Sequence, residues 1–295
     1  MSIIEVNNLT KLYSGGKVRG IENMNFTVDE GELFGFIGPN GAGKSTTIRI
    51  LMNILKPTSG TARIFDLDCK THSRIIKRDV GYMPSEVRFY PGASVKELLN
   101  YACRLRGSAK GCWRELADDF HLDAQKKFGE LSIGNRRKLS IINAMMHKPR
   151  LLILDEPTGG LDPLMQEKFF EKLLECRKNG ATVFFSSHNL NEVQKYCSRV
   201  ALVKNGHIEM MPDLANLPMH SIELTTSSDT GQLFDKIRAV GIHKSGSSIR
   251  FMLPGVDLST LLSLLAGMNI SDVVITKPSL EQVFHKIYQG EEKSK

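Results

Sequence analysis

A glycine-rich loop constrains this chain more than any other feature. Residues 38–45 read GPNGAGKS and fit G-x-x-x-x-G-K-[ST], a pattern whose glycines let backbone N–H groups turn towards phosphate oxygens. The apolar run Leu33–Ile37 predicts a buried strand before the loop, and a helix is predicted to begin near Lys44. The positive end of a helix dipole favours phosphate. In this pattern Lys44 reaches the outer phosphates and Ser45 binds Mg²⁺. The predicted nucleotide-binding residues here are Gly38, Asn40, Gly41, Ala42, Gly43, Lys44, Ser45 and Thr46.

Two carboxylates follow a second apolar strand. The run Leu151–Leu154 ends in Asp155 and Glu156, at a carboxyl-terminal strand tip, where ligands bind in open α/β sheets. Asp155 is predicted to orient Mg²⁺ and its waters, and Glu156 to accept a proton from an attacking water. Together with the glycine-rich loop, the pair predicts a nucleotide-hydrolysing site.

Polar residues at two other predicted element ends are candidates for the same site. His188 follows the predicted strand Thr182–Ser186. It is either a surface or capping residue or a sensor of the terminal phosphate, and both interpretations stay open. Ser132 and Gly134 lie where a helix is predicted to begin, a position that can bind an anion.

The first turn of that helix carries Arg136, Arg137 and Lys138, although the helix dipole disfavours cations there. Either an acidic or phosphate-bearing partner binds these cations, or they form a solvated basic face.

Strands and helices alternate over the first ~215 residues, which predicts an α/β fold with a parallel sheet. The predicted strands are Ile3–Asn8, Asn25–Asp29, Leu33–Ile37, Ala62–Phe65, Val80–Met83, Leu151–Leu154, Thr182–Ser186 and Val200–Val203. The predicted helices are Lys44–Leu55, Pro163–Lys178 and Leu190–Tyr196. Between Ser94 and Met146 helices dominate, beginning with a capping box at Ser94 and Glu97. A helical lobe at about 86–147 is therefore predicted. Asn205 and Gly206 predict a tight hairpin.

A second domain is predicted beyond Leu217 and Pro218, giving domains 1–217 and 218–295. Its predicted strands are Ser221–Thr225, Ile242–Lys244, Ser248–Leu253 and Asp272–Thr276. Its predicted helices are Thr230–Val240, Leu258–Gly267 and Ser279–Tyr288. The order β-α-β-β-α-β, closed by a further helix, predicts a small ferredoxin-like α+β domain.

Charge and cysteine content add weaker limits. The formal net charge of +7 is compatible with nucleic acid, anionic lipid or a phosphorylated ligand and identifies none of them. None of the five cysteines stands in CxxC spacing, which favours reduced thiols in a cytosolic protein. No apolar run is long enough to span a bilayer, so any membrane role is expected to come through a partner.

In combination, GPNGAGKST, LSIGN, LDEPTGGLDP and His188 resemble the ATPases of ABC transporters, over about Ile3–Pro212. The resemblance implies a P-loop core in which Tyr13 stacks on adenine and Gly38–Thr46 is the Walker A loop. It makes Asp155 the Walker B aspartate, Glu156 the catalytic glutamate and His188 the switch histidine. Ser132 and Gly134 then belong to the signature motif, and Gly159–Asp162 to the D-loop, where Asp162 contributes to nucleotide binding. The implied catalytic residues are Glu156, His188, Asp155 and Lys44, and the implied metal ligands are Ser45 and Asp155.

The resemblance also implies cofactors and partners. These are ATP and Mg²⁺, a head-to-tail ATPase homodimer or heterodimer, and an integral-membrane permease. The expected location is the cytoplasmic side of the membrane, peripheral and in contact with it only through the permease, and no nucleic acid is expected. The segment Pro278–Phe284 is similar to the C-terminal extension of ATPases of drug, antibiotic and peptide exporters, such as the bacitracin-exporter type. Export of a peptide, antibiotic, drug or lipid-like substrate and an accessory or dimerisation role for residues 218–295 are therefore expected.

Two departures from the family pattern leave questions open. Ser85 stands where Gln is usual, and a water or Glu86 is the substitute. Ile133 stands where Gly is usual, and Asn135 where Gln is usual, which suggests slow hydrolysis or pairing with a different ATPase subunit. Phe89 and Tyr90 either contact the permease or pack inside the helical lobe. The alternative functions are an ABC ATPase acting on ribosomes or DNA, and a regulatory ATP-binding module with little turnover.

Overall fold

The computed structural model describes residues 1–13, 18–214, 219–228, 230, 234, 237, 239–254, 262–263, 265–266, 268–276 and 280–282. Contacts divide the chain into two compact units, which separate after Pro212. The boundary predicted at Leu217 and Pro218 lies outside the described residues. Each unit is described by itself.

The first unit contains ten strands and seven α-helices within the described residues. The strands are β1 (Ser2–Tyr13), β2 (Val18–Asp29), β3 (Leu33–Ile37), β4 (Ser59–Ile64), β5 (Leu67–Asp68), β6 (Val80–Met83), β7 (Leu151–Asp155), β8 (Thr182–Ser187), β9 (Arg199–Lys204) and β10 (His207–Met210). The helices are α1 (Lys44–Leu51), α2 (Ser73–Asp79), α3 (Val95–Arg106), α4 (Arg114–Asp119), α5 (Ile133–Met145), α6 (Pro163–Lys178) and α7 (Leu190–Tyr196).

A six-stranded sheet forms the centre of this unit, in the order β10-β9-β3-β8-β7-β6. Its five strands from β9 to β6 pair in parallel, and β10 closes one edge as an antiparallel hairpin with β9. Strands β3, β7 and β8 are buried along their whole length, as expected where helices or sheets cover both faces. The predicted α/β class is therefore confirmed.

A second sheet corrects the expectation of a single parallel one. Strands β1, β2, β4 and β5 form an antiparallel sheet in the order β2-β1-β4-β5. The predicted strands Ile3–Asn8, Asn25–Asp29 and Ala62–Phe65 belong to it. Only four residues separate β1 from β2, whereas a parallel pair needs a crossover of a dozen residues or more. Strand order alone did not distinguish the two arrangements.

The two sheets share one apolar core. Phe26 of the antiparallel sheet stacks on Phe34 and Phe184 of the parallel sheet, at ring-centroid distances of 6.2 and 6.0 Å. All three rings are almost fully buried. The antiparallel sheet therefore packs against the centre of the parallel sheet, at β3 and β8.

Local signals define several element ends. The capping box at Ser94 is confirmed at the start of α3. The hairpin at Asn205 and Gly206 is confirmed between β9 and β10, with both residues at positive φ. The helix predicted to run to Leu55 instead ends at Leu51, because Asn53 adopts a left-handed φ of 48° that terminates helices. Residues 86–147 hold α3, α4, a 3₁₀ turn and α5, with no strand.

The second unit contains a four-stranded antiparallel sheet among its described residues. Its strands are β11 (Met219–Thr226), β12 (Val240–Ser245), β13 (Ser248–Pro254) and β14 (Ile270–Thr276), in the order β12-β13-β11-β14. The helix predicted to reach Val240 is wrong at that residue, which pairs with Met252 in the sheet. Most of the three predicted helices lie outside the described residues, so the ferredoxin-like fold stays a prediction. None of the helices in the described part of the chain combines the length and apolar composition that a bilayer crossing needs.

Candidate nucleotide site

The loop between β3 and α1 depends on glycine at two of its positions. Gly41 and Gly43 have φ of +81° and +108°, in the left-handed region that glycine adopts without steric cost. A Cβ on Gly43 would lie 2.5 Å from Cγ2 of Ile21. The backbone therefore runs close to β2 here, and glycine at these two positions permits the loop conformation that a phosphate-binding loop requires.

Lys44 lies inside this loop at the first position of α1. Its Nζ donates to the carbonyls of Gly38 and Pro39 at 2.7 and 3.1 Å, and the residue is only 5% exposed. The ammonium group is therefore held at the mouth of the loop, where it can meet an incoming phosphate. Ser45 and Thr46 follow in the first turn of the same helix, and Asn40 is exposed at the outer side of the loop.

Asp155 ends β7 as a buried carboxylate with one oxygen unpaired. Its Oδ1 accepts a hydrogen bond from the Ser186 hydroxyl at 2.7 Å, and its buried Oδ2 has no hydrogen-bond partner among the described residues. The pKa of Tyr82 is raised to about 12, mainly by burial and secondly by the negative charge of Asp155. An unpaired buried carboxylate oxygen is costly without a cation or donor, so this residue fits a divalent metal ion such as Mg²⁺.

Glu156 lies between two of the predicted catalytic residues. One carboxylate oxygen, Oε1, is 3.3 Å from Nζ of Lys44, and the other, Oε2, is 3.5 Å from Nδ1 of His188. Its backbone adopts φ +49°, uncommon for a residue with a side chain, and its N–H donates to the Ser186 hydroxyl at 3.0 Å. Backbone strain of this kind is typical of functional sites. The structure thus brings the glycine-rich loop, the acidic pair and His188 together.

Tyr13 lies beside the loop at the end of β1. Its hydroxyl is 3.3 Å from Oγ1 of Thr46, and the Lys11 ammonium lies 5.5 Å from its ring centroid. A Cβ on Gly20 would meet the ring at 2.5 Å, so the ring packs directly on the Gly20 backbone. The predicted adenine-stacking residue is therefore on the same side of α1 as Thr46.

The LSIGN segment opens α5 away from these groups. The Ser132 hydroxyl caps α5 by accepting from the N–H of Asn135 at 3.3 Å. A Cβ on Gly134 would lie 3.1 Å from the Gly160 carbonyl, and Ile133 is 74% exposed. Among the described residues, no hydrogen bond or ion pair joins Ser132 or Gly134 to Lys44 or Glu156. Within one chain, the segment and the phosphate loop are separate.

Asp162 has a structural role that its sequence motif did not indicate. Its carboxylate accepts from the N–H of Met165 at 3.0 Å and caps α6, a favourable use of Asp at a helix N-terminus. No hydrogen bond or ion pair among the described residues connects it to the phosphate loop. Its predicted part in nucleotide binding stays a prediction.

The basic triplet at the start of α5 is neither a free solvated face nor wholly available to a partner. The Arg137 guanidinium donates to the carbonyls of Gly159 and Ser85 at 2.9 and 2.8 Å. Arg136 lies over the ring of Phe128, 5.0 Å from its centroid. Both side chains are partly buried by the protein itself. Sequence reasoning missed the Arg137 contacts because Ser85 and Gly159 are far from Arg137 in the chain.

Three residues that follow β6 differ in their exposure and their contacts: Glu86, Phe89 and Tyr90. The Glu86 side chain is 71% exposed and pairs with Arg88 at 2.7 Å, so it points away from the acidic pair. Phe89 packs edge-on against Phe128 with centroids 5.5 Å apart, whereas Tyr90 is 79% exposed. Packing of both rings inside the helical lobe is therefore wrong for Tyr90, and contact with the permease stays a prediction.

Sequence reasoning also missed a carboxylate that joins two loops of the site. Oε2 of Glu192, on α7, accepts from the hydroxyls of Thr158 and Ser187, each at 3.1 Å. Thr158 lies two residues after Glu156, and Ser187 directly precedes His188. The only sequence signal was an acidic residue in the first turn of the helix after His188, which ordinarily indicates no more than a favourable helix-dipole contact.

A strand–loop–helix phosphate cradle, facing two carboxylates at a neighbouring strand tip, defines a P-loop nucleotide hydrolase. The ABC transporter family matches residues 21–159. The bacitracin transport ATP-binding protein BcrA of Bacillus licheniformis is 34% identical, with 98% of each chain covered. The ABC transporter ATP-binding protein YxlF of Bacillus subtilis is 31% identical, covering 97% of this chain and 99% of its own. The chain therefore belongs to the ABC transporter ATP-binding proteins.

Solved structures agree with this assignment. The ATP-binding subunit of an ABC transporter superposes with a TM-score of 0.68 at 28% identity, over 73% of this chain and 92% of that chain. A dimeric ATP-binding cassette in a post-hydrolysis state, bound to ADP and Pi, gives a TM-score of 0.67 at 26% identity, over 72% and 98%. The chain is thus a nucleotide-binding ATPase of this family, and an ATP-binding subunit of a transporter implies a separate membrane permease.

Proposed function

We propose that Glu156 is the general base for ATP hydrolysis in this chain, and that Lys44 and His188 hold the terminal phosphate. The carrying observation is the position of the Glu156 carboxylate between Nζ of Lys44 and Nδ1 of His188, at 3.3 and 3.5 Å. A carboxylate beside groups that bind the outer phosphates is placed to accept a proton from the attacking water. ATP entry replaces the contact between Lys44 and Glu156 with one between Lys44 and phosphate.

The residues present fit Mg²⁺. Asp155, whose buried Oδ2 lacks a hydrogen-bond partner, and Ser45, in the first turn of α1, would hold the ion. Mg²⁺, when bound, neutralises phosphate charge and orients the β- and γ-phosphate oxygens. The Ser186 hydroxyl fixes Asp155 from the other side. Tyr13 stacks on the adenine, and the loop residues Gly38, Asn40, Gly41, Ala42, Gly43 and Thr46 complete the phosphate and nucleotide contacts.

The site becomes complete in a head-to-tail dimer of ATPase subunits. The Ser132–Gly134 segment makes no hydrogen bond to its own phosphate loop within the described residues, and Ser132 and Ile133 are exposed. The N-terminus of α5 is therefore available to the phosphates bound by a second subunit, with Asp162 near that interface. Residues 218–295 serve as an accessory or dimerisation domain.

Transport of an antibiotic, peptide, drug or lipid-like substrate out of the cell is the proposed physiological role. The relative from Bacillus licheniformis is named for bacitracin transport, and a relative from Bacillus subtilis, 29% identical over 96% of this chain, for linearmycin resistance. We place the chain at the cytoplasmic side of the membrane, held there by its permease. The exposed Tyr90 is a candidate contact with that subunit.

The substitution Glu156→Gln tests the assignment of the base. It should leave ATP binding intact and lower the turnover number by about 10²–10⁴-fold, because the amide cannot accept the proton. Glu86→Gln is the matched control: this exposed glutamate should be replaceable with less than about a twofold change, within the usual scatter for surface sites. An unchanged turnover number in Glu156→Gln would show that Glu156 is not the general base. A large loss of turnover in Glu86→Gln would indicate that Glu86 takes part in hydrolysis.

A further inference from the structure

Arg137 joins three separate segments of the first unit. It lies in α5, five residues after the cap residue Ser132. Its Nε donates to the Gly159 carbonyl at 2.9 Å, and its Nη1 donates to the carbonyls of Ser85 at 2.8 Å and Pro84 at 3.4 Å. One guanidinium therefore connects the helical lobe with the segments that follow β6 and β7.

Both connected segments lead directly to the reacting groups. The Gly159 N–H donates to the Glu156 carbonyl at 3.4 Å, so Gly159 closes the turn that carries Glu156. Pro84 and Ser85 follow β6, which pairs with β7 so that Met83 lies beside Leu154, the residue before Asp155. Arg137 is thus hydrogen-bonded both to the turn that follows Glu156 and to the segment that follows the strand beside Asp155.

Only arginine suits these contacts. The three carbonyls require donors in fixed directions from a long side chain, and the planar guanidinium supplies five such N–H groups. Burial lowers the pKa of Arg137, while the negative charges of Glu156 and Asp155 raise it, and arginine stays charged in proteins. Its positive charge therefore remains beside the two carboxylates.

The neighbouring Arg136 makes no such connection. Its Nη2 lies 3.4 Å from the Gly129 carbonyl, and its guanidinium covers the ring of Phe128. Both partners belong to the helical lobe. The two adjacent arginines thus have the same charge and the same helix but different partners, which makes Arg136 a matched control.

We infer that Arg137 is a positioning residue for hydrolysis: it connects the N-terminal part of α5 to the turn after Glu156 and to the segment after β6, the strand beside Asp155. The inference rests on the proposed role of Glu156 in hydrolysis. When Ser132–Gly134 contacts the nucleotide bound by the second subunit, Arg137 therefore couples that contact to the positions of the Asp155 and Glu156 carboxylates. Arg137 acts on turnover through the backbone and does not touch ATP.

The test compares Arg137→Gln, Arg137→Lys and Arg136→Gln in the full chain, with turnover number, KM for ATP and equilibrium ATP binding measured for each. Arg137→Gln should lower the turnover number by about 10–100-fold, the range expected for losing charge-assisted hydrogen bonds. KM and ATP affinity should change by less than about threefold, since the phosphate loop is untouched. Arg137→Lys, which keeps one donor and the charge, should fall between this variant and the wild type. Arg136→Gln should match the wild type within about twofold.

Distinct outcomes overturn the inference. A turnover number in Arg137→Gln equal to that of the wild type contradicts it, as does an equal loss in Arg136→Gln or a loss confined to ATP affinity. If Arg137→Gln does not fold, Arg137→Lys decides alone, and wild-type turnover in that variant refutes the role. Failure of the proposed base is seen separately, as unchanged hydrolysis in Glu156→Gln.

Discussion

Replacing Ser186 with alanine should destabilise the chain because it removes two hydrogen bonds at the acidic pair. The Ser186 hydroxyl donates to Oδ1 of Asp155 at 2.7 Å and accepts from the N–H of Glu156 at 3.0 Å. A hydrogen bond to a charged group contributes about 1.5–3 kcal/mol, and a neutral one about 1 kcal/mol. Ser186→Ala should therefore lower the free energy of unfolding by about 2–4 kcal/mol, or Tm by about 4–16 °C for a unit of this size.

The assay is urea denaturation of the nucleotide-free chain in the presence of EDTA, so that no cation compensates Asp155. A double-mutant cycle with Asp155→Ala separates the carboxylate contact from general effects of the serine. The coupling energy should be about 1–3 kcal/mol. Ser198→Ala serves as a control, since that hydroxyl makes no hydrogen bond within the described residues. Destabilisation below about 0.5 kcal/mol, or an equal loss when Asp155 is already Ala, would contradict this prediction.

Two further predictions concern the phosphate loop and the pH dependence of stability. Gly43→Ala should abolish ATP binding in a fluorescence titration, because its Cβ would lie 2.5 Å from Ile21 Cγ2. In Gly41→Ala the added Cβ would have no atom within 4 Å. The free energy of ATP binding should therefore weaken only by the cost of the positive φ, about 1 kcal/mol. Equal losses of ATP affinity in the two variants would contradict the role of the close approach at Gly43. Burial, and then the charge of Arg106, lower the pKa of His147 to about 4, below the unfolded value of about 6.5. The unfolded chain thus binds the proton first, so the free energy of unfolding should fall by about 1–3 kcal/mol as pH drops from about 6.5 to 4. Urea titrations should show a weaker pH dependence in His147→Gln; an unchanged one would exclude His147 as its source.

The phosphate loop, the acidic pair and the α/β class followed from the sequence because each depends on neighbours in the chain. Gly43 and Lys44 stand within one motif, and Asp155 directly follows its strand. The antiparallel sheet of β1, β2, β4 and β5 was missed, because strands of parallel and antiparallel sheets have similar apolar sequence patterns until their pairing is known.

Contacts between distant segments were also beyond the sequence. Arg137 reaches Ser85 and Gly159, which lie 52 and 22 residues away. Its charge suggested either an external partner or a solvated basic face, because nothing in the local pattern indicated that it would donate to three backbone carbonyls. Phe89 and Tyr90 are adjacent and similar in size, yet Phe89 packs edge-on against Phe128 while Tyr90 is exposed.

In the proposed dimer, this chain supplies half of a composite ATP site: its own phosphate loop, and a signature segment that serves a second subunit. Sedimentation velocity of the Glu156→Gln variant, with and without ATP, tests it most directly, because slow hydrolysis should preserve the closed pair. We expect monomers without ATP, dimers with ATP, and monomers under both conditions once Ser132→Arg is added. Dimers of the Glu156→Gln, Ser132→Arg double variant in ATP, or none of Glu156→Gln itself, would contradict it.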